Sequence, residues 1–137
     1  MANAGLASII RLHKWHLDEK RQVLVELQKL SSDLALQHEQ LQQEMEDEAK
    51  KAGELETGTS LSGFCQAQLQ KKRKLQETMR QIHQEIERTV EQVNDAFIEL
   101  KKYETTHEQR ERLSEIKKKK KESDRFDEIG QQSFYRQ

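Results

Sequence analysis

Gly53-Glu-Leu-Glu-Thr-Gly-Thr-Ser-Leu-Ser-Gly63 holds three of the five glycines in this 137-residue chain. Glycine mixed with small polar residues interrupts a helix and favours a turn. The chain contains no proline, so the segments on either side have no comparably strong interruption. We therefore predict a turn over 53–62, a helix over 6–52 before it, and a second helix over 63–122 after it.

The composition favours long helices over a globular domain. Hydrophobic residues make up 33% of the chain and charged residues 36%, which is too few apolar residues to enclose a thick core. Long polar helices are stable in water only when an apolar face packs against a partner. We expect a single coiled-coil domain over 1–137 that ends in a tail over 123–137.

Both predicted helices have apolar residues at alternating steps of three and four, the spacing of a coiled-coil seam. Eight of the thirteen seam positions in the first helix are apolar, and eight of the twelve in the second. The first set is Ile10, His13, Leu17, Lys20, Leu24, Leu27, Ser31, Leu34, His38, Leu41, Met45, Glu48 and Ala52. The second set is Gln68, Lys72, Leu75, Met79, Ile82, Ile86, Thr89, Val93, Ala96, Leu100, Tyr103 and His107. The pattern predicts an all-α fold in which the two helices form an antiparallel coiled-coil hairpin.

A turn centred near Gly58 fixes which residues face each other, because their numbers then total about 116. The acidic segment 39–56 faces the basic segment 66–80, and Glu44 is expected to meet Lys72. Residue 110 faces residue 6, so the second helix should overhang the first beyond about residue 112.

The predicted overhang contains five successive lysines: Lys117, Lys118, Lys119, Lys120 and Lys121. Such a run favours an anionic partner, with the alternative of a solvated helix end whose cations suit the helix dipole. Nucleic acid is not the expected partner, since no aromatic residues are interleaved with the lysines. Of the anionic partners, we expect an acidic protein surface.

Aromatic residues give two further candidates. Trp15 should lie near Phe97, Leu100 and Tyr103, either as an aromatic clasp that closes the open end or as a binding hot spot. Phe126 and Ile129 belong to an aromatic-rich tail, which is expected either to dock on a partner as a short peptide or to pack back on the helices.

No motif indicates an enzyme, a cofactor or a metal site. The chain has no phosphate-binding glycine loop, and Cys65 has no evident base nearby. His13, His16 and His107 come close in the hairpin but lack a further ligand with its supporting shell. The sequence has no apolar stretch long enough to span a membrane, and we expect a cytoplasmic protein.

Two terminal segments resemble the FliJ family of flagellar type III export proteins, particularly its alphaproteobacterial members. They are Leu6-Ala-Ser-Ile-Ile-Arg-Leu-His-Lys-Trp-His-Leu-Asp-Glu-Lys-Arg21 and Phe126-Asp-Glu-Ile-Gly130. The resemblance implies a two-helix stalk that enters the hexameric export ATPase ring and contacts its regulatory subunit. It also implies binding to the membrane export-gate protein, handling of export chaperones, and a peripheral location at the inner-membrane export apparatus.

The resemblance also suggests which residues bind these partners. The ATPase end would comprise Trp15, the five lysines, Phe126 and Ile129, and the gate surface would comprise Gln37, Leu41, Phe64 and Leu69. We expect a monomer, and a mass near 16.2 kDa in solution would support it. The alternatives are a dimeric coiled-coil scaffold, a holdase-type chaperone that binds unfolded clients, and a nucleic-acid binder that uses the lysine run.

Overall fold

The computed structural model of the protein describes the backbone of residues 2–55 and 58–135, and the side chains of 4–51, 53 and 63–134. Helix α1 spans Ala2–Leu55 and helix α2 spans Gly58–Tyr135. These described residues contain no strand, and the two helices pack against each other as an antiparallel hairpin. The predicted fold class is confirmed.

The helices are longer than the sequence indicated. Both extend into the predicted turn, and α2 continues through most of the predicted tail. Gly53, Gly63 and Gly130 lie inside helices, none has a left-handed backbone, and the space around each is open. An isolated helical glycine costs only about 1 kcal/mol relative to alanine, less than stopping and renucleating a helix requires. Residues 56–57, at the centre of the predicted turn, lie outside the described residues.

The chain divides into two compact units, and each contains segments of both helices. The first comprises Met1–Leu17 with Asp95–Gln137, and the second comprises Asp18–Asn94. Neither helix contains, among its described residues, an apolar segment long enough to cross a membrane.

The predicted seam is confirmed in both units. Every predicted seam position whose side chain is described is buried or half-buried, whereas Ala52 lies outside the described side chains. Leu17 and Leu100 are the most deeply buried apolar residues of the first unit, at 3% and 5% exposure. In the second unit Thr89 is equally enclosed, and its hydroxyl donates to the Glu85 backbone carbonyl at 2.8 Å. This bond satisfies a polar group that would otherwise be costly to bury.

The residue numbers of side chains that meet across the helices match the predicted total of about 116 in the first unit and fall two to four below it in the second. In the first unit the His13 ring stacks on Tyr103, and the two numbers total 116. In the second unit Lys20 Nζ donates to Gln92 Oε1 at 3.1 Å, and these two residue numbers total 112. His38 Nε2 and Gln76 Nε2 lie 3.4 Å apart, and their residue numbers total 114.

The predicted ion pair between Glu44 and Lys72 is not formed. Eight salt bridges between described side chains join residues three or four apart on one helix, as in Arg88 with Glu85. An exposed pair gains only a few tenths of a kcal/mol, too little to hold two long side chains together across the seam.

Candidate functional site

The second helix extends beyond the last residue that α1 covers. His107 is half-buried, whereas every residue from 108 to 134 is exposed. We call residues 108–134 the overhang. The predicted overhang is confirmed, and it is longer than expected because α2 continues to Tyr135.

The apolar residues of the overhang do not continue the seam. Extending the three-and-four stepping past His107 reaches Arg110, Ser114, Lys117, Lys121, Asp124, Glu128 and Gln131, all of them polar. The large apolar side chains of the overhang are Leu113, Ile116, Phe126, Ile129 and Phe134, which are between 59% and 77% exposed. Leu113 and Phe134 flank the seam, whereas Ile116, Phe126 and Ile129 lie on other faces of the helix, where a longer α1 would not bury them. The sequence pattern therefore suits these three to a surface other than α1.

The five lysines lie in the middle of the overhang. Lys117 to Lys121 are all exposed, and none forms an ion pair with another side chain that the structure describes. Because successive helical residues point about 100° apart, five in a row surround the helix with positive charge. A negatively charged surface could therefore meet this segment from any side.

Trp15 does not form the aromatic clasp that was expected, so that interpretation was wrong. Its indole is 58% exposed and makes an edge contact with the neighbouring His16 ring at 5.2 Å. Trp15 follows the seam position His13 by two residues, about 200° around the helix, which turns it away from α2. His13 therefore takes the stacking position on Tyr103. The use of Trp15 as a partner contact stays a prediction.

Phe126 and Ile129 do not pack back on the helices. Their side chains are 75% and 62% exposed within α2. Residues 123–135 are helical, so this part of the predicted tail continues the overhang. The two side chains remain accessible to a partner, and whether one binds them stays a prediction.

The predicted gate residues are divided between exposed and half-buried positions. Gln37 and Leu69 are exposed, whereas Leu41 and Phe64 are half-buried. Leu41 occupies a seam position and is partly covered, which limits the surface it can offer a partner. All four belong to the second unit, whereas Trp15 and the overhang belong to the first. Gate binding by these residues stays a prediction.

Several exposed apolar residues of α1 were missed in the sequence, and two of them form a repeat. Val23 and Leu30 are seven residues apart, each immediately before a seam position, and they are 40% and 43% exposed. The sequence feature that could have revealed them is an apolar residue immediately before a seam position in two successive heptads. A strict two-helix coiled coil does not need an apolar residue at that position.

The described side chains include no group of three or more His, Cys, Asp or Glu residues placed to hold a metal ion. Comparison of the chain with protein-family models, curated proteins and solved structures found no match.

Proposed function

We propose that this protein is a non-enzymatic stalk component of the flagellar type III export apparatus. In this role it couples the hexameric export ATPase ring to the membrane export gate by binding both. It also handles export chaperones and is peripheral to the inner membrane through its partners. The proposal starts from the resemblance of segments 6–21 and 126–130 to the FliJ family.

The overhang is the observation that best supports this role. It offers an exposed single helix with five lysines and large apolar side chains that α1 does not cover. Charge steers an encounter with an acidic surface, and apolar side chains provide the contact area once the surfaces meet. A coupling protein needs such a projecting segment at the end that meets the ring.

The antiparallel hairpin supports the proposal in a second way. The paired helices are joined along a seam of mostly apolar residues, so the body keeps its register while the overhang binds. The proposed gate residues Gln37 and Leu69 are exposed on the second unit, apart from the overhang residues. Two partners could therefore bind separate surfaces of one chain.

Copurification with the purified export ATPase tests the proposal. We expect the full chain to copurify with the ring and a chain that ends at residue 111 to be lost from it. The shortened chain keeps the seam through His107, so its thermal midpoint should match that of the full chain. Equal recovery of both chains would contradict the assignment of the overhang to the ATPase.

A further inference from the structure

We propose that Val23 and Leu30, together with the acidic residues beside them, form a docking stripe for a basic amphipathic helix of a partner protein. This surface lies wholly within the second unit and is separate from the overhang. The inference does not depend on the export role, because it uses only the geometry of residues 19–33 and the edge of α2 beside them.

The apolar face of α1 is wider in this unit than two-helix pairing requires. A two-stranded coiled coil needs apolar residues only at the two seam positions of each heptad, whereas helices in larger bundles add a third position beside them. Val23 and Leu30 occupy that third position in successive heptads. Both stay about two-fifths exposed in the hairpin. The pattern is therefore that of a helix that packs against one more helix.

The acidic residues beside the stripe favour one kind of partner helix, a basic one. Glu19, Glu26 and Asp33 recur every seven residues on the outer side of the apolar pair. Each lies three or four residues from Val23 or Leu30, which makes them neighbours on the helix surface. All three are exposed. Together they place a negative line along the stripe, which favours a partner helix with lysine or arginine on its flank.

The α2 edge of the stripe adds little opposing charge. Lys20 Nζ is bonded to Gln92 Oε1 at 3.1 Å, which puts the Gln92 side chain beside α1 at this level. Glu85, one heptad earlier on α2, lies 3.6 Å from Arg88 in an ion pair, so these two charges offset each other. The Lys20 ammonium is bonded to a neutral amide and keeps its positive charge at this edge. Against it stand the three carboxylates of α1, so the net charge beside the stripe is negative.

Binding of a synthetic peptide to the full chain tests this inference. The probe is an amphipathic helix with leucines on one face and lysines on both flanks, labelled for fluorescence anisotropy. We expect saturable binding that weakens as salt is raised, because the flanking contacts are charged. A peptide with glutamates in place of the lysines should bind far less well.

Substitutions locate the binding surface. Val23→Asn with Leu30→Asn should weaken binding about tenfold through the lost apolar contact. Glu26→Lys should weaken it about threefold while leaving the apolar pair intact. The matched control is Val90→Asn, since Val90 is 39% exposed but does not lie on the stripe. Val23, Leu30 and Val90 are each about three-fifths covered, so their replacement by asparagine should lower the thermal midpoint modestly and by a similar amount per residue, whereas Glu26→Lys should leave it unchanged.

Three results would overturn the inference. The first is binding that Val90→Asn weakens as much as the double substitution does. The second is binding that neither the double substitution nor Glu26→Lys changes. The third is a doubling of the solution mass in the absence of peptide that only the stripe substitutions abolish, because a second copy of the chain would then be the occupant.

Discussion

The imidazole of His13 stacks on the phenol ring of Tyr103, with the ring centroids 4.6 Å apart and the planes inclined by 21°. One ring comes from each helix, and both residues occupy seam positions. The contact joins the α1 and α2 segments of the first unit close to the residue where the overhang begins. It also leaves Trp15, two residues further along α1, exposed.

The contrast between Leu17 and Trp15 predicts different effects on stability. Leu17 is 3% exposed, so Leu17→Ala should lower the free energy of unfolding by about 2–3 kcal/mol. Trp15→Ala should change it by less than about 0.5 kcal/mol, because the indole is mostly in solvent. Urea unfolding followed by circular dichroism measures both. A larger loss in Trp15→Ala would mean that the indole is part of the core.

Gly63→Ala distinguishes a helix from a turn at this position. Gly63 lies in α2 with open space around it and no left-handed backbone. Alanine there should increase the helical signal and stabilise the local helix by about 0.5–1 kcal/mol. Helical content and amide hydrogen exchange report the change. Loss of helix in the variant would indicate that residue 63 belongs to a turn that needs glycine.

Hydrogen bonds from Arg80 lower the pKa of Glu77, and the positive charge of the guanidinium adds to the effect. Arg80 Nε donates to Glu77 Oε2 at 3.0 Å. A lowered carboxyl pKa contributes stability above its ordinary value, and the contribution is lost as the pH falls through the lowered value. Arg80→Ala should therefore return the pKa of Glu77 towards its ordinary value, as measured by carbon NMR titration of the carboxyl group. An unchanged titration would show that the pair does not persist in solution.

Spin labels at Arg21 and Glu91 test whether one chain folds back on itself. Their numbers total 112, which matches the Lys20–Gln92 contact beside them. With Cys65→Ser and dilution into unlabelled protein, we expect an intramolecular distance of about 20–30 Å from adjacent helices and label arms. One continuous helix would separate them by about 105 Å. A long distance, with a solution mass of twice 16.2 kDa, would favour the dimeric scaffold.

The sequence predicted the seam well because burial of a thin core depends on the spacing of apolar residues. That spacing placed even polar residues such as Ser31 and Thr89 correctly on the seam. Helix ends were predicted less well, since an isolated glycine such as Gly130 weakens a helix without ending it. Single contacts were the least predictable. When the residue numbers of facing side chains total two to four less than predicted, different side chains meet, as Lys20 and Gln92 show.

The candidate site was predictable in its position and charge, but not in its extent. The hairpin register placed the overhang, and the lysine run gave its charge. Its full length could not be predicted while Phe126 and Ile129 were assigned to a tail. The stripe at Val23 and Leu30 was missed because the seam count considered only two positions in each heptad.

Titration of the export ATPase ring with the full chain tests the central claim most directly. The variant replaces Lys117 to Lys121 by glutamine. The matched control replaces five exposed lysines of the second unit by glutamine, namely Lys29, Lys50, Lys51, Lys71 and Lys74. We predict about tenfold weaker binding and a flatter salt dependence for the overhang variant only. Equal affinities for the unmodified chain, the variant and the control would contradict docking through the overhang.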